Sequence, residues 1–340
     1  MNLNSVANLE EALSRPNQED VAAMAEMGGD LLILGAGGKM GPSLAARAKR
    51  AAEQAGADLR VTAVSRWSQE ESRNLLRQQG ITTISAELLD ERELAALPDA
   101  PNVVFMAARK FGSTGAEAYT WAMNVYLPAR VAERYRDSRI VAFSSGNVYP
   151  FVPVTSGGAT EDTPLTGVGE YAQSVLGRER MLQHLSSQHG TKVAFLRLNY
   201  AVEMRYGVLL DIGRRVFARE PVDLSMGNVN VIWQGDANSI CLRLFQYCAS
   251  PPIALNVTGP ETLSVRWIAQ SFGRRFGVEP VFTGEESQTA LLSNAARCHR
   301  LFGYPRMTVD ELIEQTAHWI GADGPTYDKP THFDARDGKF

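Results

Sequence analysis

Residues 31–41 read LLILGAGGKMG. A short apolar run enters a glycine pattern, with Gly35, Gly38 and Gly41 in GxxGxxG spacing, and Pro42 and an Ala-rich stretch follow. The run reads as a buried strand and the stretch after it as a helix, with proline tolerated in its first turn. Glycines allow a tight turn and let backbone N–H groups approach a pyrophosphate, which then sits at the positive end of the helix. An ordinary strand-to-helix turn also accepts glycine. Strand, glycine pattern and helix in this order are the context that the dinucleotide motif requires. The reading assigns Gly35, Gly38, Lys39, Met40 and Gly41 to a nicotinamide-dinucleotide site.

Outward from that loop the chain alternates. Apolar runs at 61–64, 81–84, 103–107, 140–143 and 193–198 join the one at 31–34, separated by helical stretches at 42–55, 69–78, 116–135 and 171–187. This alternation predicts an α/β fold, a Rossmann-like doubly wound parallel sheet covered on both faces, with a smaller C-terminal substrate lobe. Later apolar runs at 229–233 and 253–257 lie among helical stretches at 206–218, 237–249, 264–276 and 308–320. The expected organisation begins with a helical lead-in over 1–29, two short amphipathic helices that pack on the main domain. The dinucleotide-binding domain spans 30–202, with 229–258 returning to it. The substrate lobe takes 203–228 and 259–322. A loop-like tail covers 323–340, and its Phe340 is a candidate to dock.

The 340 residues carry 34 Lys and Arg against 38 Asp and Glu, a net charge of −4. That mild acidity gives no electrostatic footing for nucleic acid or an anionic membrane. No apolar run reaches about 18 residues, the length that spans a bilayer. Cys241, Cys248 and Cys298 show no CxxC spacing, which argues against a disulfide framework or zinc site and fits a reducing cytoplasm. The histidines are scattered, none in an HxxxH or HExxH frame, so no metal is expected. The N-terminus lacks a signal-peptide pattern, and a cytoplasmic location is the expectation.

The end of the second strand bears on the cofactor. An acid there would bond the adenosine ribose, whereas a basic side chain accommodates a 2′-phosphate. The chain reads Val64–Ser65–Arg66–Trp67. Arg66 can fork onto a phosphate, Ser65 can donate to it and Lys39 can add charge, which favours NADP over NAD.

Further motifs accompany the glycine loop. They are Glu87–Leu88–Leu89–Asp90 after the third strand, Ala107–Ala108 after the fourth, Asn124 in a helix, Ser144–Ser145–Gly146–Asn147–Val148–Tyr149, and Glu170–Tyr171 at a helix start. Arg197, Trp233–Gln234–Gly235–Asp236, Asn256–Val257 and Leu301–Phe302–Gly303–Tyr304–Pro305 follow. Jointly these resemble the extended short-chain dehydrogenase/reductases of the NAD-dependent epimerase/dehydratase family, over nearly the whole chain. To the residues already read, Ser65 and Arg66 among them, the resemblance adds Glu87, Leu88, Ala107, Ala108 and Asn124 as the cofactor set. It makes Ser145 and Tyr171 the catalytic pair, with the phenol moving a proton while hydride passes to the nicotinamide. It also implies a small-molecule substrate and a homodimer through 116–135 and 171–187.

Two departures from the family pattern shape the functional expectation. The family's lysine, four residues after the tyrosine, falls on Val175, which can neither clamp a ribose nor lower a phenol pKa. Arg178 shares a helical face with Tyr171 and Val175 and is a candidate for the missing charge, although a surface or salt-bridged role is as good a reading. Nucleotide-sugar members carry an arginine where this chain has Val229, which points instead to a free sugar, sugar acid, lactone or other small polar metabolite. Lys110 and Arg109, beyond the fourth strand, stand where a substrate would be met. Ser145, Asn147, Tyr149, Tyr171, Tyr200 and Trp233, with Met123 and Asn124, are candidate walls of its pocket. The two functional expectations are an NAD(P)-dependent epimerase, dehydratase or oxidoreductase with altered chemistry, and a non-catalytic NADP(H)-binding sensor or partner subunit.

Overall fold

The computed structural model describes residues 3–67, 70–110, 112 and 114–339. Seven strands form its main sheet: β1 Leu31–Leu34, β2 Val61–Ser65, β3 Thr82–Ser85, β4 Asn102–Phe105, β5 Arg139–Ser145, β6 Lys192–Leu198 and β7 Ile253–Val257. All pair in parallel, in the order β7-β6-β5-β4-β1-β2-β3. The order reverses between β1 and β4, and doubly wound sheets take ligands in the crevice at such a switch point. The fold is therefore the doubly wound α/β architecture that the alternation predicts.

Helices α1 Val6–Ser14, α2 Gln18–Glu26, α3 Gly41–Ala55, α4 Glu70–Gln78, α5 Glu91–Ala95, α6 Glu117–Trp121, α7 Leu127–Arg134 and α8 Gly169–His189 accompany the first six strands. Then come α9 Val208–Phe217, α10 Gln234–Arg243, α11 Val265–Phe276, α12 Ala296–Phe302 and α13 Val309–Gly321. Strand side chains alternate between faces. Leu31 and Ile33 therefore join the alanines of α3 in one core, while Leu32 and Leu34 join Phe105, Leu182 and Leu185 in another. A further apolar cluster, built on Val208, Ile212, Phe272 and Leu312, belongs to the C-terminal helices.

Three expectations change in detail. The run 229–233 does not enter the main sheet: Asn228–Val229 pairs with Leu263–Ser264 and Ile232–Trp233 with Ala201–Val202. The interruption falls at Asn230, whose amide donates to the Glu261 carbonyl and accepts from the Ser293 N–H. The lead-in does not pack on the main domain alone, since Leu9 and Leu13 of α1 enter the C-terminal cluster while Met24 of α2 enters the main core. The tail is irregular, as expected, and buries Phe333 in the C-terminal cluster; Phe340 lies outside the described residues.

The predicted helix over 116–135 is interrupted by a π-helical turn at Ala122–Tyr126. Pro128 has no N–H to give the Asn124 carbonyl four residues earlier. That carbonyl accepts instead from Arg178 Nε at 3.3 Å. A local backbone defect thus becomes a seat for a distant side chain. No described helix is long and apolar enough to cross a membrane. Among the described residues, no group of three or more His, Cys, Asp or Glu could hold a metal ion.

Candidate functional site

A cleft of about 1420 Å³ opens at the C-terminal edge of the sheet, lined by the glycine loop, the segments after β4 and β5, Tyr171, Tyr200 and Tyr206, and the tail. The three motif glycines have different reasons to be glycine. Gly35 has φ +93°, and a Cβ there would lie 2.5 Å from the Ala107 backbone nitrogen. At Gly41 a Cβ would lie 2.2 Å from the Ala36 carbonyl oxygen. At Gly38 the nearest atom would be 3.6 Å away, so its missing side chain leaves open room beside the start of α3. Gly37, which the motif spacing does not single out, is pressed against Ser65: a Cβ there would meet Oγ at 2.4 Å.

Ser65 therefore lies directly under the glycine loop. Arg66 is exposed and pairs with Glu87 at 3.3 Å, its Nη1 also lying 3.5 Å from the Tyr119 hydroxyl. Lys39 does not join them. Its Nζ sits 3.1 Å from the centroid of the Tyr206 ring, with Lys110 and Lys329 as charged neighbours. The Leu88 side chain is packed in the core with Ala86 and Leu94. Ala107 is likewise buried, against Gly35, whereas Ala108, Met40 and Gly38 line the cleft.

Ser145 ends β5 and caps a short 3₁₀ turn at Gly146–Val148. Its Oγ donates to Asn147 Oδ1 at 2.9 Å, accepts from the Asn147 N–H at 3.1 Å, and shares a hydrogen bond with the Tyr171 hydroxyl. Tyr171 opens α8 from a buried position. Burial raises its phenol pKa, while the Arg178 charge and the Ser145 hydrogen bond pull the other way. Lys110 places its ammonium 5.7 Å from the Tyr171 ring centroid, and burial lowers the Lys110 pKa to about 8.

Arg178 is buried, and among the described residues it forms no salt bridge. Its guanidinium is buried, donating to the Phe143 carbonyl at 2.6 Å, the Ala107 carbonyl at 3.3 Å, Asn124 Oδ1 at 3.0 Å and the Asn124 carbonyl. These four acceptors are neutral, and nearby Tyr171 and Glu179 act on it only through space. Burial lowers its pKa to about 10, which leaves it cationic at neutral pH. Val175 is buried in the apolar cluster that holds Tyr171, Val148 and Leu291.

Several residues expected at a ligand are bonded or packed within the framework. Asn124 is fully buried: Oδ1 accepts from the Arg109 N–H at 2.9 Å and Nδ2 donates to the Arg109 carbonyl and to Ser174 Oγ. Its amide is spent on positioning Arg178 and the segment leading to Lys110. Tyr149 lines a smaller neighbouring pocket with Asn147 and Tyr200. Its hydroxyl accepts from Arg197 at 2.7 Å and donates to Asn256 Oδ1 at 2.8 Å, while Arg197 forks onto Glu179, which also accepts from Ser144. This chain ties α8 to β5, β6 and β7, and the motif residues Arg197 and Asn256 are its links. Trp233 lies in the C-terminal apolar cluster and Met123 packs on the main core. Arg109 donates to the Gly112 carbonyl and lies over the Tyr119 ring.

The cleft also gathers residues that sequence reasoning missed: Asn199, Arg205, Tyr206, Tyr327, Lys329 and Thr331. All six come from loops or the tail, where no periodicity or motif marks them. Arg205 pairs with Glu203 at 3.0 Å and with Glu10 of α1 at 2.6 Å, and lies 4.8 Å from the Tyr327 ring centroid. The two ends of the chain therefore meet at one rim of the cleft.

The doubly wound sheet, with a glycine loop at its switch point and a cleft closed by a second lobe, defines a Rossmann-like α/β protein. More narrowly, the chain belongs to the NAD dependent epimerase/dehydratase family, whose sequence profile matches residues 31–202, half of its length. No curated protein sequence matches it. Among solved structures it resembles the UDP-glucose 4-epimerase of Thermotoga maritima, determined with UDP-glucose, at 16% identity and a TM-score of 0.69, covering 86% of this chain and 99% of that one. The UDP-Glc/GlcNAc 4-epimerase of Campylobacter jejuni gives 18% identity and a TM-score of 0.71 over 87% and 99% of the two chains. The UDP-glucose 4-epimerase of Thermus thermophilus, in complex with NAD, gives 17% and 0.67 over 86% and 99%. At these identities the likeness establishes the fold.

Proposed function

We propose that the protein is an NAD(P)-binding enzyme of the epimerase/dehydratase type, acting on a small sugar, sugar acid or related polar metabolite through Ser145 and Tyr171. The observation that carries the reading is the Tyr171 hydroxyl, bonded by Ser145 in the same cleft as the glycine loop and facing the Arg178 charge. The loop fits a dinucleotide, because the open space at Gly38 admits a pyrophosphate beside the start of α3. Bound there, the cofactor would supply hydride exchange with the substrate carbon. Tyr171 passes the proton to or from the substrate oxygen, and Ser145 hydrogen-bonds the same oxygen. Val175 occupies the family's lysine position, so the charge that steadies a phenolate comes from Arg178, with Lys110 beside the ring. Burial keeps the resting phenol protonated, which suits it to donate first.

Ser65 and Arg66 favour NADP, since the exposed Arg66–Glu87 pair is weak enough to open for a 2′-phosphate. Val229 is buried in the C-terminal cluster, and without an arginine there a nucleotide diphosphate loses a partner. Tyr119, Trp121 and Tyr126 are exposed on the segment 117–126 and support the homodimer. A second reading, a cofactor-binding sensor without turnover, draws on Val175 and the raised Tyr171 phenol. Titration of the purified protein with NADPH and NADH tests the cofactor claim, with micromolar binding expected and NADPH tighter. Arg66→Asp should weaken NADPH much more than NADH. Loss of all turnover in Tyr171→Phe supports the enzyme, whereas unchanged rates would move the chemistry elsewhere. Cofactor binding with no turnover on sugars or sugar acids favours the sensor.

A further inference from the structure

We propose that Gln234 and Asn238 of α10 are positioning residues for the glycine loop, acting on it through the Ser43 hydroxyl. The inference rests on the proposed cofactor site at that loop. Ser43 stands in the first turn of α3, directly after Met40, Gly41 and Pro42. Its Oγ donates to the Met40 carbonyl at 3.0 Å and accepts from Gln234 Nε2 at 3.1 Å and Asn238 Nδ2 at 3.0 Å. All three side chains are buried, yet Ser43 and Gln234 border the cleft beside Gly38 and Met40. The N–H groups of a first helical turn have no partner within the helix, and Pro42 has no N–H to offer. The placement of residue 43 therefore bears directly on the donors left for a pyrophosphate.

Helix α10 is itself braced from two sides. Ser239 donates to Asp20 Oδ1 at 2.5 Å, and Arg47 of α3 pairs with Asp20 Oδ2 at 2.6 Å. Asp236 accepts from the Arg306 and Met307 N–H groups ahead of α13, at 3.0 and 3.3 Å. The start of α3 thus hangs from a fixed helix that lies 191 residues further along the chain at Gln234. Asn238 adds a second observation. Its Oδ1 is buried and has no hydrogen-bond partner among the described residues. A buried acceptor left unpaired lowers stability. Asn238 carries that cost while it places its donor on Ser43, which marks a residue fitted to the loop more than to stability.

The test is calorimetric titration of the full-length protein with NADH and NADPH, paired with thermal melts. Asn238→Ala and Gln234→Leu should each weaken the tighter-binding dinucleotide by about fivefold or more, equivalent to about 1 kcal/mol. Asn238→Ala removes the orphaned acceptor together with the donor, so its melting temperature should stay within about 3 °C of wild type. Because the amides act through Ser43, Asn238→Ala made in a Ser43→Ala background should change affinity by less than about twofold. Binding unchanged in both single variants, or the full loss recurring in the Ser43→Ala background, would overturn the proposal. Amide hydrogen exchange at Ser43 and Leu44 in the cofactor-free protein separates this idea from the cofactor reading. Faster exchange in Asn238→Ala, in a protein that binds neither dinucleotide, supports the positioning role and removes the cofactor claim alone. Exchange that stays at the wild-type rate would refute the positioning role.

Discussion

Gly35 and Gly38 separate folding from binding within one loop. At Gly35 an alanine would adopt φ +93° and press its Cβ to 2.5 Å from the Ala107 nitrogen, a backbone atom that cannot swing aside. Left-handed strain costs about 1–2 kcal/mol and overpacking about 1–3 kcal/mol, so Gly35→Ala should lose roughly 2–5 kcal/mol of stability. Against a usual total of about 5–15 kcal/mol, that is a large fraction. At Gly38 the added methyl group meets nothing closer than 3.6 Å, so Gly38→Ala should keep wild-type stability or gain up to about 1 kcal/mol from a less flexible unfolded chain. The same methyl group occupies the space assigned to the pyrophosphate in the proposed cofactor site and should weaken NAD(P) binding by about tenfold or more, equivalent to at least about 1.4 kcal/mol. Urea denaturation reads the first effect and fluorescence titration with NADH and NADPH reads the second. Gly38→Ala binding both cofactors within twofold of wild type, or unfolding as readily as Gly35→Ala, would refute the reasoning.

Other perturbations probe the remaining parts of the site. Arg178→Met removes four hydrogen bonds to buried acceptors and should cost about 3 kcal/mol, net of the relieved desolvation of the guanidinium. Arg178→Lys should restore only part, because an ammonium lacks the planar fork; a loss below about 1 kcal/mol in denaturant melts would show that the seat is unimportant. Val175→Lys places an ammonium in an apolar cluster near Arg178, so stability should fall by roughly 2–4 kcal/mol and any turnover should not rise. A faster variant would show that Arg178 does not replace the family's lysine.

Local chemistry explains which features were legible before any coordinates. The strand and glycine loop at 31–41 were readable because hydrophobic runs and glycine spacing act within a few residues. The strands from β1 to β6 followed from the same signal. By contrast, 229–233 looked like one strand but is split at Asn230, whose side chain serves two distant backbone groups. Tyr149, Asn124 and Trp233 have residue types suited to a pocket, yet burial assigns them to networks and core.

The sequence by itself determined that a glycine loop opens a doubly wound sheet, that Ser145 and Tyr171 stand at family-like spacing, and that Val175 stands four residues after the tyrosine. Only the tertiary structure decided what surrounds that tyrosine. Arg178 is drawn inward because Pro128 takes the i+4 helical donor from the Asn124 carbonyl, which accepts from the guanidinium, and the Ala107 and Phe143 carbonyls lie within its reach. Lys110 and Lys329 reach the cleft through a loop and a tail with no periodic pattern. The charge around a catalytic group depends on distance and desolvation across the folded chain, and neither is encoded in the spacing of neighbours along it.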